Sequence, residues 1–234
     1  MKSIITIIIP NYNKQIYIEE CINSVINQNF IEWKLIIIDD ASTDNSISFL
    51  SKFEKYEKIK IIRLKKNKGP SFCRNLGMRL CNTKYLAFLD SDDFWDKEKL
   101  RDQIDFMSKA NFQITYCDYY VFREHQKKNI INKTCVPMLF NLSTFMNNSS
   151  INTSTLIVEK SIIGNTRFKK IPLLEDYIFK CDLFRKGLSA HKLNKCNTAY
   201  RLTEKTRSSS KIKNLFTLWN LNKKYNKLNF FRNL

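Results

Sequence analysis

Ile4-Ile5-Thr6-Ile7-Ile8-Ile9-Pro10 decides the fold. Six residues, all but one apolar and all β-branched, form an unbroken run that stops at a proline. β-Branching restricts χ1 and favours a strand. A strand with one wet face would alternate apolar and polar residues. A continuous run reads as buried on both faces, and strands of that kind sit inside parallel sheets. Working outward, Ile18, Ile22, Val25 and Ile26 recur at helical spacing. Leu35-Ile36-Ile37-Ile38 is a second buried strand, ending at Asp39-Asp40. Ile47, Phe49, Leu50 and Phe53 suit a helix begun near Thr43 or Asp44, and Ile59 to Leu64 is a third strand. Pro70 is placed to open a helix running through Met78. Tyr85 to Leu89 is a fourth strand, and Lys97 to Ala110 a helix with Asp96 as its expected cap. Strand and helix alternate as in βαβ units, which gives an α/β fold with helices on both faces of a mostly parallel central sheet.

Beyond residue 110 the pattern loosens. Ile114 to Phe122 is an aromatic-rich strand, residues 123 to 150 read as loops with a short helix, Thr155 to Val158 as a strand, and Leu173 to Arg185 as a helix. The expected division is one domain over residues 1–204, with a ligand-binding half (1–110) and a second half (111–204). A basic amphipathic segment (205–234) follows.

The chain has 234 residues, enough for one such domain and hardly for two. Seven scattered cysteines, none in a Cys-x-x-Cys pair, argue against a zinc site or a disulfide framework and for a reducing compartment. The Ile4–Pro10 run is too short for a secretion signal, and no stretch approaches the ~20 apolar residues of a membrane span. The net charge is +18, and residues 201–234 hold nine Lys/Arg against one Glu. Such a balance suits nucleic acid, an anionic membrane or phosphorylated ligands, or a merely solvated face. In the C-terminal segment Ile212, Leu215, Phe216 and Trp219 share a helical face flanked by lysines. This pattern fits an interfacial membrane helix or a helix docked on the domain itself.

Three strand ends carry polar residues: Pro10-Asn11-Tyr12-Asn13, Asp39-Asp40-Ala41-Ser42 and Asp90-Ser91-Asp92-Asp93. In an open parallel sheet such ends converge on one crevice, where ligands bind. Clustered carboxylates at a strand end repel unless a cation or ligand offsets them. Asp90 and Asp92 point the same way if the strand geometry persists. Each acidic cluster also has a plainer reading as a helix cap or first-turn acid, and that holds for Glu175-Asp176 too.

These stretches resemble the family 2 glycosyltransferases, inverting nucleotide-sugar enzymes of the GT-A fold (Rossmann-like and nucleotide-binding). The matching residues are Ile7 to Asn13, Ile37 to Asp44, Asn67-Lys68-Gly69-Pro70 with Arg74-Asn75-Leu76-Gly77, and Phe88 to Asp93, in the family's order. Leu174-Glu175-Asp176-Tyr177 and Tyr200-Arg201 resemble later elements. The resemblance implies a single GT-A domain, with 1–110 as the nucleotide-sugar-binding half and 111–204 as the acceptor-binding half, and transfer from a nucleotide-diphosphate sugar, with a UDP-sugar expected. Pro10, Tyr12, Asn13, Asp40, Arg74, Asp90 and Ser91 would hold the donor nucleotide, with Tyr12 stacking on the base, Asp40 accepting from its N–H, and Arg74 pairing with a phosphate or with Asp90. Asp92, with Asp90, would bind Mn²⁺ or Mg²⁺, which suit oxygen ligands. Asp176 would be the base, with Glu175 orienting the acceptor or holding Asp176, while Lys205 and Arg207 could close over the diphosphate. Gly69 would permit a turn and Gly77 close helix packing. Asp93, His125 and His191 receive no role.

The acceptor implied is a lipid-linked or surface glycan, as in lipopolysaccharide, lipooligosaccharide or capsule assembly. The enzyme would be cytoplasmic and peripheral on the inner membrane face, with the basic C-terminal segment on anionic lipid and no nucleic-acid partner. Two rivals are a sugar-phosphate nucleotidyltransferase, which would carry a Gly-rich loop after the first strand, and a non-enzymatic basic module binding polyanions.

Overall fold

The computed structural model describes residues 3–123, 130–202 and 211–227, with the backbone alone for 211–215. The first half alternates as expected: β1 (Ile5–Asn11), α1 (Ile18–Ile26), β2 (Trp33–Asp39), α2 (Ser46–Ser51), β3 (Ile59–Arg63), α3 (Pro70–Leu80) and β4 (Tyr85–Phe88). Then follow β5 (Phe94–Trp95), α4 (Lys99–Ala110), β6 (Ile114–Arg123), β7 (Ile130–Thr134), β8 (Leu139–Phe140), α5 (Leu142–Asn147), a 3-10 turn at Thr153–Thr155, and β9 (Ile157–Glu159). The chain continues through α6 (Lys160–Ile163), α7 (Glu175–Phe184), β10 (Ala190–Leu202) and α8 (Lys211–Tyr225).

The strands form one sheet in the order β3-β2-β1-β4-β9-β6-β10-β5, with β7 beside β6 and β8 beside β10. The first four are parallel, with Ile8 level with Ile36 and Phe88. β9 runs antiparallel to both β4 and β6, and β6 is parallel to β10. β9 therefore joins two parallel blocks.

The unbroken apolar runs exist because the sheet has a core on each face. Ile5, Ile7 and Ile9 pack with Ile18, Ile22 and Val25 of α1 and with Leu100 and Ile104 of α4. Ile8 points the other way, into a cluster with Met78 of α3, Phe88 of β4 and Phe179 of α7. Successive strand side chains face opposite sides, so one run serves two cores. α3 lies especially close: a Cβ on Gly77 would stand 2.6 Å from Ile8 Cγ2. Gly69, at φ 85°, makes the left-handed turn ahead of Pro70.

Several expectations shift. α2 starts at Ser46 rather than near Thr43, because Asp44 accepts from the Ser46 and Gln15 amides and shapes the loop instead. α4 starts at Lys99 behind Glu98; Asp96 accepts from the Glu98 amide one turn earlier. Within 123–150, where loops were expected, β7 and β8 add short strands. The largest omission is β10. Thirteen residues that include Lys192, Lys195, Asn197 and Arg201 carry no apolar run, yet they form a strand along the length of β6.

α8 packs on the domain. Leu221 is buried, and Leu218 and Tyr225 lean on the core. Tyr177 Oη of α7 donates to Asn222 Oδ1 at 2.6 Å, and Arg185 donates to the Tyr225 carbonyl at 2.7 Å. Of the two readings of the C-terminal helix, docking describes this face, while Phe216 stays 68% exposed. No helix among the described residues is long and apolar enough to cross a membrane.

Candidate active site

The three polar strand ends meet. At the end of β1, Asn11 Nδ2 donates to Asp39 Oδ1 at 2.8 Å. Asp39, at the end of β2, also accepts from the Ser42 hydroxyl at 2.6 Å and the Ser42 amide at 3.0 Å. Asp39 is thus a buried brace between two strand ends. Asp40 is also buried, and its two oxygens accept from the Lys68 and Gly69 amides, each at 2.7 Å. It anchors the loop that starts α3. Tyr12 is 45% exposed. Asn13 and Ala41 take left-handed backbone at φ 52° and 60°. Leu174, just ahead of α7, does so at φ 62°. Non-glycine residues adopt this region uncommonly, and such strain clusters at functional sites.

Arg74 is the hub. Its fork donates to Asp90 Oδ1 at 2.6 Å and to Glu175 Oε1 at 3.0 Å. α3 thereby ties the β4 end to the start of α7. Burial works against the guanidinium charge, but Asp90 and Glu175, with Asp176 behind them, outweigh it and raise the pKa. Glu175 is buried against Arg74. The companion that holds Asp176 is instead Lys180, one turn along α7 at 2.7 Å, together with the Thr153 hydroxyl at 2.8 Å.

Asp92 Oδ2 meets Lys14 Nζ at 2.5 Å. Asp93, left without a role above, is buried beneath the turn. It accepts from Ser154 Oγ at 2.6 Å and from the Arg201 amide at 3.0 Å. Burial, then Asp92 and Asp90, push its pKa well up. Arg201 is fully buried: its Nε donates to the Asp92 carbonyl at 2.9 Å, its fork reaches Glu20, and the rings of Phe122 and Tyr17 flank it.

Most of these groups line one cavity of about 840 Å³, with Asp39, Asp93 and Lys180 bracing it from behind. Of the residues expected from sequence, Pro10, Tyr12, Asn13, Asp40, Arg74, Asp90, Ser91, Asp92, Glu175 and Asp176 face it. Lys205 and Arg207 lie outside the described residues, as does His125. His191 sits away from the cavity, stacked on Phe112 at 3.8 Å. Lys14, Thr153, Tyr119 and Tyr200 also line it, and Lys180 braces it from behind; their roles went unseen in the sequence. Lys14 and Lys180 pair across 78 residues and across one buried helical turn respectively. Only the i,i+4 spacing of Asp176 and Lys180 offered a signal.

A divalent ion fits on chemistry. Asp90 and Asp92 offer hard oxygen ligands, and each now faces a side-chain cation, Arg74 or Lys14. No group of three potential ligand side chains gathers among the described residues. One or two carboxylates completed by substrate phosphates is the arrangement Mg²⁺-type ions favour over a protein cage.

The sequence model of Glycosyl transferase family 2 matches residues 6–185. TuaG of Bacillus subtilis, a glycosyltransferase named for teichuronic acid biosynthesis, is 30% identical over 99% of this chain and 92% of its own length. WfgD of Escherichia coli, a UDP-Glc:α-D-GlcNAc-diphosphoundecaprenol β-1,3-glucosyltransferase, is 28% identical over 93% of this chain and 85% of its own. Among solved structures, Staphylococcus aureus TarS 1-349 with UDP-GlcNAc superposes with a TM-score of 0.76 at 22% identity, covering 94% of this chain. The chain spans 65% of that fragment. A Pyrobaculum calidifontis mannosyltransferase, crystallised with GDP-Man and Mn²⁺, superposes at 0.73 and 13% identity, over 98% of this chain and 66% of its own. At these identities the two structures speak for the fold.

Proposed function

The chain belongs to glycosyltransferase family 2, and from that premise we propose that it is an inverting, metal-dependent enzyme moving a sugar from a UDP-sugar to a hydroxyl of a lipid-linked or surface glycan. The observation that carries this reading is Arg74, whose fork joins the Asp90 end of the cavity to the Glu175-Asp176 end. One end suits the leaving diphosphate and the other the attacking hydroxyl. Family membership sets aside the nucleotidyltransferase and the polyanion-binding module, and β1 ends in Pro10-Asn11 and runs on into Tyr12-Asn13 instead of a glycine-rich loop.

Tyr12 stacks on the nucleobase from its exposed position. Asp40, oriented by the Lys68 and Gly69 amides, accepts from the base N–H. Asn13 and Ser91 border the nucleoside. Asp92, with Asp90, holds Mn²⁺ or Mg²⁺, which when bound neutralises charge on the departing diphosphate. Asp176 takes the proton of the acceptor hydroxyl as that oxygen attacks the anomeric carbon from the face opposite the leaving group. Lys205 and Arg207 remain candidates for the diphosphate.

The names of WfgD and TuaG support the acceptor class, and the net charge of +18 supports work at an anionic membrane surface on its cytoplasmic side. On α8 the exposed Phe216, Lys223 and Lys224 are left for that contact. UDP release is measured over a panel of UDP-sugars with Mn²⁺, and again with EDTA. We expect turnover of one donor, its loss with EDTA, and a fall of about 10²–10⁴-fold in Asp176→Asn. Full turnover in both Asp92→Asn and Asp176→Asn would sink the mechanism.

A further inference from the structure

Asp176 and Lys180 stand four residues apart on α7, so they share a face. On a surface that spacing is worth a few tenths of a kcal/mol and fixes little. Here the lysine is not on a surface. Its side chain is 3% exposed, and its ammonium donates to two acceptors, Asp176 Oδ2 and the Ile151 carbonyl, each at 2.7 Å. A buried ammonium is costly unless it is paired in this way. Ile151 belongs to the segment that walls the cavity, and two residues on Thr153 gives Asp176 Oδ2 its second donor at 2.8 Å. Both donors converge on one oxygen. Oδ1 accepts no hydrogen bond among the described residues, and Asp176 borders the cavity with its side chain 32% exposed.

We propose that Lys180 is a positioning residue for the transfer step: it pins Oδ2 and leaves Oδ1 for the acceptor hydroxyl. This rests on the reading of Asp176 as the base. In that step the acceptor oxygen bonds to the anomeric carbon. The bond from that carbon to the diphosphate breaks, and its electron pair leaves with the diphosphate. The hydroxyl proton passes to Asp176.

The charged groups around Asp176 are Lys180 on its own helix, Arg74 from α3, and Glu175 beside it; Asp90 lies beyond Arg74. Burial alone raises the Asp176 pKa, but Lys180, Arg74 and the Thr153 hydroxyl outweigh it and hold the acid well below the usual carboxylate range. A base held this low is intrinsically weak. The benefit is therefore geometric, because misplacing a reacting group by about 1 Å costs on the order of 10²-fold in rate. Loss of Lys180 removes the nearest opposing charge, so Asp176 would protonate at higher pH.

The test follows kcat and kcat/KM against pH for UDP-sugar hydrolysis, with water as acceptor and the donor identified by the panel above. Lys180→Met should lower kcat by roughly 10²-fold and raise the acid limb by about one to three pH units. Donor KM should hold steady, and Lys180→Arg should recover part of the loss. Thr153→Val, which removes the other Oδ2 donor, should move the limb the same way by less, and it serves as the test if Lys180→Met does not fold. A wild-type pH profile in Lys180→Met, or in Thr153→Val should the first not fold, overturns the proposal. Activity surviving in Asp176→Asn instead overturns the base assignment itself, so the two failures are told apart.

Discussion

The two halves of the sheet bury polar chemistry in different places. In β1 to β4 the buried strand interiors are almost wholly apolar, and the working side chains appear only at or past the strand ends, at Asn11, Asp39 and Asp90. In the β6–β10 half, charges lie inside the framework. Lys192 pairs with Asp118, Arg201 runs under the Asp90–Asp93 turn, Lys180 holds Asp176, and Lys99 is buried over the Trp95 ring with no hydrogen bond to its ammonium. An apolar half gains stability from area alone, while a charged half is stable only if each partner is present. The first half is thus held together mainly by buried apolar area, and the second half also by paired charges.

That contrast can be broken most forcefully at Asp118. Lys192→Met should cost about 3–5 kcal/mol in chemical denaturation, because it strands a buried carboxylate whose remaining hydrogen-bond partner among the described residues is the Val136 amide. Adding Asp118→Asn should return most of that loss; a double variant no more stable than the single one would mean the pair is not what holds β6 to β10. In the apolar half the comparable sensitivity is to volume. Gly77→Ala should cost about 1–3 kcal/mol by forcing α3 off Ile8, and an unchanged midpoint would show that the helix can shift freely.

A third test lies at Lys99, whose burial lowers its pKa to about 7. Between that value and the ordinary lysine range the unfolded chain binds a proton that the folded chain lacks. Stability must therefore rise with pH across this window. Lys99→Met should flatten the rise and stabilise the protein at neutral pH, readable as melting temperature against pH. A slope identical to wild type would remove Lys99 from the set of uncompensated charges.

Legibility follows the same divide. β1 to β4, α1, α3 and α4 were readable because hydrophobic period is local: each residue declares its own face. The ten cavity residues named from the sequence come mostly from strand ends whose positions that period sets. β10 was not readable. Lys192, Asn197 and Arg201 look solvent-bound until Asp118, Asp102 and the Asp92 carbonyl arrive from 74, 95 and 109 residues away. Glu175 and Asp176 were found together, yet their separate partners, Arg74 and Lys180, were not.

From the sequence alone came the parallel first half, the family resemblance and the residues that crowd the cavity, all of which rest on local pattern and residue type. The tertiary structure decided which carboxylate meets which cation, that β9 joins two parallel blocks, and that α8 docks on α7. Those choices depend on groups that folding brings together from distant parts of the chain, whose energies are set by burial and distance and leave little trace in local sequence.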